Sequence, residues 1–266
     1  MNKQELGEQL EQLAPLILAG SWDNVGMLIE PAPVDAPLTG VLLTIDLNER
    51  VLDEAIAHDV NFIVTYHPIL FGGAKRLRTH SPADRVILKA IEHNITVYSP
   101  HTALDSVAGG VTDWLLDQVG EMTERSIIEP HLNIQHAGMG RVGSLTSAQT
   151  LLDLISHLKD ALSLPYLRVA TAHDSDPEQT LVRHVAVCPG AGASVVSGAK
   201  GHDCIVTGEM RHHDVLAAQR EGISVILTEH TNCERGYLPI LKNTLSKTVN
   251  CPIMISAADR DPLNVL

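Results

Sequence analysis

A chain of 266 residues, 44% hydrophobic and 19% charged, can build one large α/β domain or two medium ones, which excludes general disorder. No stretch approaches 18 uninterrupted apolar residues, and the first thirteen are polar and acidic without a basic n-region, so the sequence reads as cytoplasmic rather than membrane-spanning or secreted. Nineteen basic against 32 acidic residues give −13, which argues against nonspecific nucleic-acid binding and requires a local counter-charge for any phosphate-bearing ligand.

Apolar runs of strand length alternate with helical patterns, the signature of an α/β fold. Val41 to Ile45 reads as a strand, and Asn48 to His58 as a helix with apolar residues at Val51, Leu52, Ala55 and Ile56, capped by Asn48 or Asp46. Phe62 to Thr65 is the next strand, Asp84 to His93 is helical, and Ile95 to Tyr98 is a strand by its β-branched residues. The segment 122–150 is richer in Gly, Ser, Thr and His and is expected to be the boundary between halves. Leu151 to Leu162 follows as an amphipathic helix and Val182 to Val187 as a strand. This places a first lobe at 1–125, with the C-terminal end of the chain as a further candidate member, and a second at 126–266.

The second half repeats features of the first. Phe62-Ile63-Val64-Thr65-Tyr66-His67 aligns with Cys204-Ile205-Val206-Thr207-Gly208-Glu209 at an offset of 142, and His101-Thr102-Ala103-Leu104-Asp105 with His230-Thr231-Asn232-Cys233-Glu234 at 129. The shift of 13 implies extra residues in the first half, with Gly72 to about Asp84 as the insertion. The expected fold is therefore two similar α/β lobes, an internal duplication, with their strand-end residues facing one cleft.

Fourteen histidines are about twice the share an average chain carries. Imidazole and carboxylate are the usual ligands for zinc, iron, manganese and nickel, and a carboxylate can bridge two ions. His67, Asp105, His230 and Glu234 supply that mixture, with Glu234 the longer and better bridge. The cysteines Cys188, Cys204, Cys233 and Cys251 lack zinc-site spacing and read as reduced core residues. Eight aromatic residues argue against platforms on which bases stack.

Five motifs taken in order resemble a known family: Ser21-Trp22-Asp23-Asn24-Val25-Gly26, Thr65-Tyr66-His67-Pro68, His101 to Asp105 followed by Gly109-Gly110, Thr207-Gly208-Glu209 with His212-His213-Asp214, and His230 to Glu234. They are similar to those of the interacting-factor-three-like (Nif-three-like) proteins, also called GTP cyclohydrolase 1 type 2 homologues, over nearly the whole chain. The resemblance implies a two-lobed α/β fold, a dinuclear metal site in the cleft between lobes, and a toroidal homohexamer whose sites open onto a central cavity. It matches His67, Asp105, His230 and Glu234 to metal ligands of the family. Many bacterial members carry two adjacent histidines where this chain has Tyr66 before His67. A phenol with a pKa of about 10 stays protonated near neutrality, which makes Tyr66 a weak ligand or a hydrogen-bond donor to one.

The remaining candidates have bland and functional readings side by side. His212 and His213 form either an ordinary helix N-terminal pair or, through one of them such as His212, a group that orients a metal ligand or a substrate. Trp22-Asp23-Asn24 reads as a structural turn. Pro189 to Ser194 reads as a tight strand-to-helix turn in preference to a phosphate loop, since it lacks Walker spacing and a lysine. Lys75, Arg76 and Arg78 are a basic cluster, either solvated surface or a site that captures the phosphate of a substrate. The leading expectation is a hydrolase using two divalent metal ions on a small substrate, nucleotide-like by the family's second name, with Glu209 or His101 moving a proton. The alternative is a metal-binding or metal-handling regulatory scaffold without catalysis.

Overall fold

The computed structural model describes residues 1–264. Its backbone divides into two units, the first formed by Met1–Leu104 with Tyr237–Leu266 and the second by Asp105–Gly236.

In the first unit, α1 (Lys3–Leu13) opens on a capping box in which Asn2 and Glu5 satisfy each other's backbone N–H. After β1 (Gly26–Ile29) come β2 (Val41–Thr44), α2 (Glu49–Ala57), β3 (Phe62–Thr65), α3 (Pro82–Glu92) and β4 (Thr96–Ser99). Every residue of β2, β3 and β4 is buried. That burial explains their continuous apolar runs, because a parallel strand covered on both faces has no solvent side to mark with polar residues. Asn48 caps α2 by accepting from the Val51 N–H, and Ser81 with Pro82 starts α3 two residues before the position the apolar spacing suggests. The sheet runs β1-β4-β3-β2-β11, where β11 (Ile253–Ile255) pairs parallel to β2 and β1 pairs antiparallel to β4. One core of this unit joins Leu42, Leu52, Ile63, Ile87 and Val97.

The chain leaves the first unit within α4 (His101–Ser106) and returns in the turn Arg235–Tyr237, followed by α9 (Leu238–Leu245). The division therefore falls at 104/105 and 236/237 instead of 125/126. The C-terminal stretch belongs to the first unit because β11 extends the first sheet beside β2.

The second unit contains α5 (Val111–Val119), β5 (Met122–Pro130), β6 (Gly138–Thr150), α6 (Leu151–Ala161), β7 (Arg168–Ala170), β8 (Leu181–Cys188), α7 (Ala193–Val196), β9 (Cys204–Thr207), α8 (His212–Arg220) and β10 (Ser224–Leu227). Its sheet runs β5-β6-β8-β9-β10-β7. The expectation that 122–150 is merely a boundary region is corrected here, since β5 and β6 pair antiparallel as the chain's two longest strands. Most of β5 is at least partly exposed, so no apolar alternation marks it in the sequence. The buried Arg141 guanidinium anchors β6, donating to Asp113 at 2.7 and 3.2 Å and to the carbonyls of Gly138 and Gly140.

The duplication is visible strand by strand. The orders β1-β4-β3-β2 and β7-β10-β9-β8 have the same directions, an antiparallel edge followed by three parallel strands. Val41, Phe62 and Thr96 lie level in one sheet, and Val185, Cys204 and Ser224 in the other. The offset of 142 thus joins truly equivalent strands, β3 and β9. The connection 66–95 is longer than 208–223, and the exposed stretch 71–80 supplies most of the excess.

Candidate metal centre

The polar residues of interest begin where the parallel strands stop. Past β3, the Tyr66 and His67 N–H groups still donate to the carbonyls of Thr44 and Ile45, at 2.9 and 3.0 Å, so the backbone carrying His67 is fixed by the sheet. Asp46, at the end of β2, accepts from His67 Nδ1 at 2.9 Å. A carboxylate on Nδ1 selects the tautomer whose Nε2 lone pair is available to a cation.

His101, at the start of α4, follows the same rule. Its Nδ1 donates to Asp23 Oδ1 at 2.8 Å, while the Thr102 N–H donates to Asp23 Oδ2 at 3.2 Å. Burial raises the Asp23 pKa, but hydrogen bonds from His101 and Thr102 outweigh it, and the carboxyl is held below its ordinary range. Tyr66 is buried, and its ring lies 5.1 Å from that of His67 and 5.5 Å from that of His101.

In the second unit the Glu209 N–H donates to the carbonyl of Gly190 at 3.1 Å, and Glu209 Oε1 accepts from His230 Nδ1 at 2.8 Å. His230 Nε2 then points toward Glu234 Oε1, 3.7 Å away, from the next turn of the chain. Glu234 is only 2% exposed, an environment that suits a carboxylate facing a cation. Gly190 makes room for this pair: its φ is +59°, and a Cβ there would lie 2.7 Å from Glu234 Oε1 and 3.0 Å from His230 Nε2. Cys233 pins the arrangement, accepting from the Gly190 N–H at 3.2 Å and donating to the His230 carbonyl at 3.1 Å. Burial pushes its thiol well above the ordinary cysteine range, so it stays a neutral structural group.

Two of the strand-end turns are bent in the same way. His101 (φ +31°) and Glu229 (φ +65°) each lie two residues past the end of β4 or β10 in the left-handed region, where a non-glycine residue persists only if its surroundings enforce it.

His67, His230 and Glu234 each offer one ligand atom, and these atoms lie within 4.8 Å of one another. Ligands at roughly 2.0–2.1 Å from a tetrahedral zinc ion sit about 3.3 Å apart, so the donor set and spacing fit a divalent cation with a small inward adjustment. Three of the four expected ligands are thereby brought together. Asp105 is buried on α4 and does not join this group among the described residues. Glu209, expected as a proton carrier, lies in hydrogen-bond contact with His230. His212 and His213 are exposed at the start of α8 with their rings 5.4 Å apart. Pro189 to Ser194 is the strand-to-helix turn leading from β8 to α7, and it borders a cavity of about 620 Å³ with Glu209, Arg211 and Asp214. Lys75, Arg76 and Arg78 are exposed on the connection after β3.

The sequence reading missed Asp46 and Asp23 as the carboxylates behind His67 and His101, and Gly190 as the floor of the Glu234 site. The signal for Asp46 was its place just beyond a strand, two residues after Thr44 as His67 is two after Thr65.

The family model described as Duf34/NIF3 (NGG1p interacting factor 3) matches residues 1–262. Protein NIF3 homolog of Schizosaccharomyces pombe is 38% identical over 282 residues, covering 100% of both chains. NGG1-interacting factor 3 of Saccharomyces cerevisiae is 36% identical, covering 92% of this chain and 90% of its own. A solved Staphylococcus aureus hypothetical protein superposes with a TM-score of 0.87 at 25% identity, covering 100% of this chain and 99% of that one.

Proposed function

Because the chain belongs to the Duf34/NIF3 family, we propose that it is a metal-dependent hydrolase of a small substrate, its cation held by His67, His230 and Glu234. One observation carries the reading: the two histidines of that group each have Nδ1 engaged by a carboxylate, Asp46 or Glu209, the contact that selects the tautomer able to ligate a cation through Nε2. A bound divalent ion would supply Lewis acidity and bring the pKa of water into the neutral range. Asp105, with Glu234, would help to hold a second ion if one binds. His101 would accept the proton released on hydrolysis, its ring held by Asp23 and lying 5.4 Å from that of His67. Glu209 and Asp46 act as positioning residues, and Tyr66 packs His67 and His101 into place.

The proposal includes a homohexamer in the cytoplasm, as the family resemblance implies; light scattering giving a monomer of 28.7 kDa would contradict the oligomer. Among the described residues no helix is long and apolar enough to cross a membrane. The second reading, a metal-binding partner protein without catalysis, is favoured by the name of the Saccharomyces cerevisiae relative, which describes an interaction and no reaction.

The test is elemental analysis of protein purified without chelator, together with a hydrolysis screen over phosphate esters, cyclic amides and nucleotides. Glu234→Ala is expected to lose metal and any hydrolysis together. Unchanged metal content in that variant would reject the ligand assignment, and full metal content with no turnover of any compound would favour the partner protein.

A further inference from the structure

The described residues contain two tryptophans and two phenylalanines, and they divide sharply. Phe62 and Trp114 are buried at 0% and 8% exposure, as core packing demands, whereas Trp22 and Phe71 are 62% and 55% exposed. The two exposed rings lie together, with centroids 6.0 Å apart, and both meet His101 edge-on, at 6.1 Å and 80° for Trp22 and 6.4 Å and 78° for Phe71. Their turns are tied as well, since the Asn24 side-chain amide donates to the Leu70 carbonyl. Asp23 between them holds His101 and Thr102. The Trp-Asp-Asn turn thus does three separate things: it presents a ring, fixes a histidine and secures the segment bearing the second ring. Few as the aromatic residues are, these two exposed rings share one surface beside His101.

Charge says which ligand suits it. No acidic residue occurs between Val60 and Ala83, while Lys75, Arg76 and Arg78 all fall there, in a chain whose total is −13. None of the three forms an ion pair with another described residue within 4 Å. Lys75 is four residues from Phe71, hence no more than about 14 Å along the backbone. Aromatic faces accept planar π-systems, and guanidinium and ammonium groups accept phosphate or carboxylate.

We propose that Trp22 and Phe71 form a stacking subsite beside His101 for a flat unsaturated ring, and that Lys75, Arg76 and Arg78 receive an anionic group carried by the same molecule. The inference rests on the hydrolase reading only in naming this ligand as the substrate; the binding itself is independent of the metal. It is therefore tested on chelator-treated protein, with AMP as the ring-plus-phosphate probe and with adenosine and inorganic phosphate as its separate parts. AMP is expected to change tryptophan emission saturably in the wild type, with the change lost in Trp22→Ala. By equilibrium dialysis, Trp22→Ala and Phe71→Ala should each weaken AMP by roughly tenfold or more, and Trp22→Phe should restore most of it. Replacing Lys75, Arg76 and Arg78 by Ala should weaken AMP but leave adenosine unchanged. No saturable binding at millimolar AMP, or equal affinity for AMP and inorganic phosphate, overturns the subsite. So does a Trp22→Ala protein that binds AMP normally but changes its mass in light scattering, which would assign the exposed rings to contact with a second copy. Loss of metal ligands by Glu234→Ala should leave AMP binding intact, so the failure of one reading does not mimic the failure of the other.

Discussion

The two units place the same backbone under different chemistry. At the ends of β2, β3 and β4 the first has Asp46, His67 and His101, and at the ends of β8, β9 and β10 the second has Gly190, Glu209 and His230. In the first, the acid of one strand holds the histidine of the next; in the second, the roles move one strand along, so that Glu209 holds His230. The position left over in the second unit is Gly190, whose missing side chain gives Glu234 its room. A duplicated sheet therefore keeps the rule of a carboxylate behind each histidine while changing which strand supplies it. The second unit also adds the β5/β6 hairpin, for which the first has no counterpart.

That added hairpin provides the largest expected effect. Arg141 is 3% exposed, and its guanidinium joins Asp113 to three backbone carbonyls, of Gly138, Gly140 and Ser106. Arg141→Met would remove the guanidinium donors from those carbonyls and leave Asp113 only the Gly109 N–H, and urea denaturation should show a loss of roughly 3–5 kcal/mol. A loss below about 1 kcal/mol, the scale of an exposed ion pair, would mean that the hairpin does not depend on this anchor.

The glycine that distinguishes the second unit is next. Gly190→Ala should lower metal content sharply, because its Cβ meets Glu234 Oε1 at 2.7 Å, and should cost about 1–3 kcal/mol for a non-glycine residue at φ +59°. Gly109→Ala is the control. Its φ is +75° but nothing lies within 4 Å of the added Cβ, so it incurs similar strain without touching the site. If both variants retain metal equally, the close approach at Gly190 is of no consequence for binding.

How much of this was legible follows from the kind of signal each part leaves. The strands β2, β3, β4 and β8 and the helices α2, α3 and α6 were readable because buried runs and amphipathic spacing are local. The offset of 142 was readable for the same reason, being carried by one shared Ile-Val-Thr. The offset of 129 was legible too, but the strands themselves, paired at Phe62 with Thr96 and at Cys204 with Ser224, are related by 128. One extra residue in the second turn accounts for the difference. What stayed hidden were pairings that tertiary structure alone creates, such as Asp23 with His101 across 78 residues, and strands such as β7 and β11, which are three residues long and take their place from a neighbour. The β5/β6 hairpin was hidden by its exposed polar surface.

The equivalence of Asp46 and Glu209 can be sharpened directly. Asp46→Asn and Glu209→Gln each keep the shape of the side chain but remove the charge that favours Nδ1–H, and each should weaken metal affinity about 10- to 100-fold in a competition titration with a chelator. The pair should be similar in size if both serve the same purpose. A full effect at Glu209 with none at Asp46 would break the comparison and leave His67 outside the site.

The smallest expected effect concerns how each unit ties down a strand end with a carboxylate. In the second, Asp203 Oδ2 accepts from the Arg183 and His184 N–H groups, both at 2.8 Å, joining β8 to the start of β9. In the first, Glu54 on α2 accepts from Ser256 Oγ at 2.5 Å and from the Ala257 and Ala258 N–H groups at 2.9 and 3.2 Å, just after β11. Burial raises the Glu54 pKa, but these three donors outweigh it and hold the carboxyl below its ordinary value. A carboxyl whose pKa is depressed by folding contributes stability above its unfolded pKa, about 4.3, and loses that contribution as the pH falls through the folded value. Glu54→Gln should therefore be less stable than the wild type at neutral pH by about 1 kcal/mol or less, since the group is partly exposed and screened. The gap should begin to close below about pH 4.3 and vanish once the wild-type carboxyl is protonated. Hydrogen exchange at Ile253 to Ile255 should locate the loss, because the donors follow directly on β11. A gap that stays constant down through the acid range would show that Glu54 holds the strand by shape alone and that its charge has no part in it.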